Sequence, residues 1–88
     1  MFNENDLVIE LDKNSVSRFY RRVDVWIIMY YKNNDKSRKL SETWKKLSTK
    51  MDGIVKVSAV NCEENKEICD EELSGNARFP VILAFPAN

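Results

Sequence analysis

The sequence predicts a single α/β domain in which short strands and helices alternate along 88 residues. Two observations support this class. Several short apolar runs are bounded by turn-forming residues, which is typical of strands, and stretches with helical periodicity lie between these runs. The resulting order, β-α-β-α-β-α-β, indicates a three-layer domain with helices packed on a largely parallel sheet. A chain of this length is expected to form one domain covering residues 1–88.

The N-terminal part predicts a strand, a helix and a second strand. Residues 7–11, LVIEL, form a short apolar run between turn formers. Asn14 or Ser15 is a suitable cap for a helix that runs to about Arg22. Seven consecutive apolar residues, Val25 to Tyr31, then predict a strand that is buried on both faces.

A second helix is predicted from Asn34 or Asp35, both good N-cap types, to about Lys50. One apolar stripe lies at positions i, i+4, i+7 and i+11: Leu40, Trp44, Leu47 and Met51. Its outer face carries Lys45, Lys46 and Lys50, which we interpret as a solvated face, with a binding patch as the alternative.

The C-terminal part predicts two more strands around a third helix. Asp52 and Gly53 end the second helix, and residues 54–60 form the next strand. A turn over residues 61–64 leads into a helix that reaches about Leu73. Pro80 then precedes a last apolar strand, Val81–Phe85, and a proline is tolerated at the opening of a strand.

The composition excludes several functional classes. Fourteen basic residues balance fourteen acidic ones, so we expect neither nucleic acid nor an anionic membrane as a partner. No apolar run is long enough to span a bilayer. Histidine is absent, which removes the commonest general base and metal ligand, and we expect no metal and no cofactor. The N-terminus has no apolar signal segment, which fits either a cytosolic protein or an excised domain.

Residues 29–44 read MYYKNNDKSRKLSETW. This stretch resembles the signature F-Y-A-x-W-C-G-H-C-K-x-L-x-P-x-W of the thioredoxin-fold domains of the protein disulfide isomerase family, and it matches at Tyr30, Leu40 and Trp44. Asn34 stands at the position of the nucleophilic cysteine and Ser37 at that of the resolving cysteine. The resemblance therefore implies a thioredoxin-like domain without the C-x-x-C redox motif and without catalytic residues.

Two further positions depart from the active members of that family. The resemblance places a buried glutamate, the proton acceptor, where this chain has Ile28, and a partner lysine where it has Ala59. Four coordinated replacements indicate a natural non-catalytic domain rather than a single altered site.

Cys62 and Cys69 are separated by seven positions. The pattern V-N-C-x-x-N-x-x-x-C is similar to a family pattern whose cysteines form a structural disulfide, and the resemblance implies the same pairing here. The alternatives are two unpaired cysteines packed as small apolar residues, and a redox-active or metal-binding pair. A structural disulfide indicates an oxidising compartment, here the endoplasmic reticulum lumen, with the cytoplasm as the alternative.

The sequence RFPV, residues 78–81, is similar to the cis-proline loop of the family, so we expect a cis peptide bond before Pro80, with an ordinary trans bond as the alternative. In the family, this loop and the redox turn border a groove for substrate peptides. The corresponding groove residues here are Tyr31, Asn33, Phe79 and Pro80. A groove that is blocked by Lys36 or Arg38, or is simply unused, is the alternative.

The family fold continues into one more antiparallel strand and a last helix, which have no counterpart before Asn88. The resemblance therefore predicts a fold truncated before these elements, with an uncovered sheet face that favours self-association. We interpret the chain as a redox-inactive, client-peptide binding or spacer module of a longer disulfide isomerase-related protein. The alternative is a thiol–disulfide oxidoreductase that uses Cys62 and Cys69, or catalytic domains elsewhere in the parent. A cytosolic thioredoxin-like adaptor is a third option.

Overall fold

A computed structural model of the chain describes residues 1–3 and 6–87. It contains the predicted alternation of strands and helices. The seven elements in chain order are β1 (Ile9–Leu11), α1 (Val16–Tyr20), β2 (Trp26–Tyr31), α2 (Asp35–Lys50), β3 (Lys56–Asn61), α3 (Lys66–Glu72) and β4 (Val81–Phe85).

The four strands form one mixed sheet in the order β1-β3-β2-β4. Strands β1, β3 and β2 are parallel, whereas β4 pairs with β2 in the antiparallel direction. Alternation of strands and helices predicted a largely parallel sheet and did not reveal the direction of β4. The register explains that direction. Asn61, the last residue of β3, pairs with Tyr31, and Val81, the first residue of β4, pairs with Tyr30. The chain therefore enters β4 at the same end of the sheet at which it left β3.

Two apolar clusters on the two faces of the sheet produce the three layers. On one face, Trp44 of α2 packs against Met29, Val57 and Ala59. The Trp44 indole is buried, and its Nε1 donates to the Ser58 carbonyl at 2.8 Å, which fixes α2 on the sheet. The opposite cluster joins α1 and α3 to the sheet; among its members are Phe19, Ile28, Tyr30, Val60 and Ile68.

The structure shortens three of the predicted elements by two residues at one end. β1 begins at Ile9, α1 ends at Tyr20, and β3 begins at Lys56. The last difference has a local cause, because the N–H groups of Ile54 and Val55 donate to the carbonyl of Met51 and continue the turn after α2. Gly53 has a φ of 83° in this turn, a conformation that glycine adopts without a steric penalty.

One face of β4 is exposed. Val81, Leu83 and Phe85 pack on the α1–α3 side, whereas Ile82 is 48% exposed on the other side. Self-association through this face stays a prediction. Among the described residues, no helix combines the length and apolar character needed to cross a membrane.

Candidate functional site

The turn between β2 and α2 is shaped by the side chain of Asn34. Asn34 has extended backbone angles, φ −133° and ψ 169°, and its Oδ1 accepts the N–H of Ser37 at 2.8 Å. This is the arrangement of an asparagine N-cap, which satisfies one of the four unpaired N–H groups at a helix start. The cap explains why α2 begins at Asp35, one of the two starts expected from the sequence.

The other end of the same amide reaches the loop that precedes β4. Asn34 Nδ2 donates to the carbonyl oxygen of Phe79 at 3.4 Å. Only one orientation of the amide serves both contacts, because Ser37 N–H needs an acceptor and the Phe79 carbonyl needs a donor. The turn and the loop therefore face each other. The peptide bond between Phe79 and Pro80 is cis.

Ser37 is fully buried, at 0% exposure, and its hydroxyl has no hydrogen-bond partner among the described residues. At this third helical position a side chain often bonds back to the N–H of the cap residue. Here the Asn34 N–H already donates to the carbonyl of Lys32 at 2.9 Å. An unpaired buried hydroxyl is destabilising, whereas a thiol at the same place tolerates an apolar site.

Residues next to the turn connect it to the β3–α3 junction. The Asn33 N–H donates to Glu63 Oε1 at 2.8 Å, and Lys32 Nζ lies 4.7 Å from the centre of the Phe79 ring. Arg38 donates to Asn33 Oδ1 at 2.6 Å and also pairs with Asp35. These contacts hold the Arg38 guanidinium beside the turn, on the side of Asn33, while Lys36 is exposed.

Tyr31 differs from its expected place in a groove. It is only 3% exposed and belongs to the core beneath α2, so it offers little surface to a ligand. Its hydroxyl donates to Glu10 Oε2 at 3.1 Å. Burial and the neighbouring Glu10 carboxylate raise the pKa of the Tyr31 phenol well above its ordinary range, and desolvation likewise raises the pKa of Glu10. The continuous apolar run of β2, which predicts a strand buried on both faces, already signals this burial.

Three of the four expected groove residues border two different depressions. Asn33 and Tyr31 border a depression of about 310 Å³ beside Glu63. Phe79 borders a different depression of about 480 Å³, together with Lys32 and the disulfide. Phe79 and Pro80 are both half-buried. Lys32 and Glu63 were not predicted from the sequence, and the contact of Lys32 with an aromatic ring has no local sequence signal.

The two positions at which the family resemblance expected a glutamate and a lysine are apolar and buried. Ile28 is 1% exposed and Ala59 is 0% exposed. They belong to the clusters on opposite faces of the sheet. Neither position supplies a titratable group beneath Asn34 and Ser37.

A disulfide joins Cys62 and Cys69 and closes the β3–α3 junction, as the resemblance implied. The two sulfur-bearing side chains are 5% and 4% exposed and pack with Ile68 in the core. The Cys62 N–H donates to the carbonyl of Tyr31 at 2.8 Å, which extends the β2–β3 pairing to the bridge. Both cysteines of the sequence are therefore used in a buried structural position.

The sequence is similar to protein disulfide isomerases over nearly its whole length, although no family model matches it. Protein disulfide-isomerase A6 of Mus musculus is 30% identical over 90 residues, covering 100% of this chain and 20% of that protein. DnaJ homolog subfamily C member 10 of Xenopus laevis is 29% identical over 93% of this chain and 10% of its own length. A putative protein disulfide-isomerase of Dictyostelium discoideum is 29% identical over 99% of this chain and 21% of its own length.

Solved structures show the same fold. Full-length ERdj5 superposes with a TM-score of 0.80 at 23% identity, over 96% of this chain and 12% of that structure. Chloroplastic thioredoxin z superposes with a TM-score of 0.76 at 18% identity, over 100% of this chain and 75% of that one. The chain is thus a thioredoxin-fold domain similar to those of protein disulfide isomerases, and it spans about a fifth or less of the curated relatives described above.

Proposed function

We propose that this chain is a redox-inactive thioredoxin-like domain of a protein disulfide isomerase-related protein, and that it binds unfolded client segments weakly. One observation carries the proposal. Asn34 and Ser37 occupy the helix-start turn that faces the Phe79–Pro80 loop, while both cysteines are held in a disulfide elsewhere. By resemblance this turn corresponds to the redox turn of the family, and its residues Asn34 and Ser37 carry no thiol.

Neither turn residue can perform thiol–disulfide exchange. That reaction needs a thiolate that attacks a disulfide and a second thiol that resolves the mixed disulfide. An amide and a serine hydroxyl supply neither, and the sequence has no histidine to activate Ser37 as a nucleophile. The orphan hydroxyl of Ser37 fits this interpretation, since its buried site suits sulfur better than oxygen.

The disulfide between Cys62 and Cys69 is a poor alternative redox centre. Attack on it requires access to a sulfur atom, and both residues are about 95% buried against the core. Buried structural cysteines are inert compared with the exposed, electropositive cysteines of oxidoreductases. Catalysis by other domains of a longer parent is compatible with this account.

Client binding relies on backbone rather than thiols. An extended peptide can pair with exposed backbone as a short added strand, and apolar side chains nearby add sequence-tolerant affinity. The Phe79–Pro80 segment supplies a backbone carbonyl and half-buried apolar surface next to Asn33 and Asn34. If this surface is unused, the domain serves as a spacer between catalytic domains.

We place the domain in the secretory pathway, most specifically the endoplasmic reticulum lumen. A structural disulfide persists in oxidising compartments and is rare in the cytosol. The similarity to protein disulfide isomerases supports the same location.

Chemical-shift mapping tests the binding role. The isotope-labelled domain is titrated with a blocked, unstructured peptide rich in valine and leucine, and we expect concentration-dependent shifts in the amides of residues 31–37 and 77–81. Amides on the outer face of α2 serve as the internal reference. If residues 31–37 and 77–81 stay unmoved at millimolar peptide, client binding at this site is wrong and the spacer role replaces it.

A further inference from the structure

We infer that Asn34 is a latch on the proposed peptide site, which its side chain keeps partly closed. The inference rests on the proposed function, because it concerns the availability of the same backbone to a client. Its structural basis is the dual contact of one amide, in which Oδ1 accepts from Ser37 N–H and Nδ2 donates to the Phe79 carbonyl.

The Phe79 carbonyl is the group for which a client competes. A peptide that adds as a strand donates a backbone N–H to a carbonyl at the edge it joins. In this structure the Asn34 side chain already occupies one of the two acceptor positions of that oxygen, so an incoming N–H competes with the Asn34 amide for it. Only molecules in which the contact is open can bind the client, so the observed affinity falls as the closed fraction rises.

The two contacts of Asn34 differ in length, and the longer one is the weaker. The cap bond to Ser37 is 2.8 Å long, whereas the bond to Phe79 is 3.4 Å long, beyond the usual range for N–H···O bonds. The amide can therefore lose the loop contact while it keeps the helix cap. The bond to Phe79 joins a side chain to a loop carbonyl and is part of no helix or strand ladder, so its loss leaves those ladders intact.

The residue type at position 34 agrees with this role. Asparagine, aspartate, serine and threonine are all good caps, because each offers an oxygen to the helix N–H groups. Among these four, only asparagine also carries N–H donors that can bond to a carbonyl on the far side. The serine hydroxyl is attached one bond closer to the backbone than the asparagine amide nitrogen, so its reach is shorter. Aspartate would place a negative oxygen against the carbonyl oxygen of Phe79.

Two substitutions separate the latch from the cap. Asn34→Asp keeps the acceptor for Ser37 N–H and removes the donor, and Asn34→Ser keeps a shorter, neutral cap. The matched control is Asn65→Asp, because Asn65 is the N-cap of α3 and its Nδ2 also donates to a backbone carbonyl, that of Asn61, at 3.0 Å. The control removes the same kind of bond away from the Phe79 loop.

The readouts are peptide affinity by chemical-shift titration and the ¹³C shift of the Phe79 carbonyl in the free proteins. We expect both Asn34 variants to bind the valine- and leucine-rich peptide about twofold more tightly than the wild type, at the low end of the net contribution of one hydrogen bond, because the bond to Phe79 is long. The Phe79 carbonyl shift moves in both variants and stays unchanged in the Asn65 control, whose affinity also stays at the wild-type value.

Each failure has its own signature. If the wild type and both Asn34 variants bind the peptide equally, the latch is overturned and the binding site stands. If the peptide binds none of the proteins, the proposed client site fails and the latch fails with it. If only the Asn34 variants bind, the latch is supported, and the client binding proposed for the wild type is wrong.

Discussion

The β2–α2 turn and the β3–α3 junction lie at the same end of the sheet, yet they are held together differently. A covalent bridge between Cys62 and Cys69 closes the junction. The turn is held by non-covalent contacts, among them one short and one long hydrogen bond of the Asn34 side chain. In this domain the disulfide links β3 to α3, whereas the β2–α2 turn is held by hydrogen bonds that can open and close.

The buried side chains of the two regions also differ. The cysteines lie in an apolar cluster with Ile68 and are almost fully buried in it. The turn encloses Ser37, a buried polar side chain without a partner among the described residues. The junction is thus optimised for stability, while the turn keeps a local defect. Two substitution experiments test whether this contrast is energetic as well as geometric.

Removal of the disulfide has the largest expected effect. The double substitution of Cys62→Ala and Cys69→Ala should lower the free energy of unfolding by roughly 2–3 kcal/mol, because a short closed loop no longer restricts the unfolded chain. Urea denaturation followed by tryptophan fluorescence measures the change.

Reductant supplies the control for that experiment. A thiol reductant should destabilise the wild type by a similar amount and leave the double variant unaffected. Equal stability of the oxidised wild type and the double variant would show that the bridge does not stabilise the junction, and the contrast with the turn would disappear.

Ser37→Ala is expected to have a smaller effect of opposite sign. It removes an unpaired buried hydroxyl and raises helix propensity, so it should increase the free energy of unfolding by about 1 kcal/mol. The matched control is Ser58→Ala: Ser58 is equally buried at 0% exposure, but its Oγ donates to the carbonyl of Ile27 at 2.8 Å. That control should be destabilised by about 1 kcal/mol.

Urea denaturation of the two serine variants in parallel decides the sign. A loss of stability in Ser37→Ala as large as that in Ser58→Ala would mean that the Ser37 hydroxyl is satisfied in solution, and the turn would not contain the defect described above.

Much of the fold could be predicted because local signals agree with one another. Asn34 is a strong cap type, and Trp44 lies on the apolar stripe of the helix that follows, so the bounds of α2 were predicted to within a residue at each end. The apolar run of β2 and the proline before β4 placed two more strands in the same way. The pairing of Cys62 with Cys69 came from the family resemblance, since spacing alone left other interpretations open.

The remaining features depend on contacts between residues far apart in the chain. The antiparallel direction of β4 is fixed by its pairing with β2, which no local pattern records. Tyr31 was expected in a groove, and no local pattern indicates that its buried hydroxyl donates to Glu10, 21 positions away in the chain. The contact between Asn34 and Phe79 spans 45 positions, and the sequence shows only that Asn34 can cap a helix.

Disulfide reduction is the measurement that tests the central claim most directly. In an insulin-reduction assay with dithiothreitol, the account predicts that this domain does not accelerate turbidity above the rate of the reductant alone, because Asn34 and Ser37 replace the thiols and Cys62–Cys69 is buried. An active thioredoxin serves as the positive control. Turnover comparable to that control, abolished by Cys62→Ala, would contradict the account and assign an oxidoreductase activity to the disulfide.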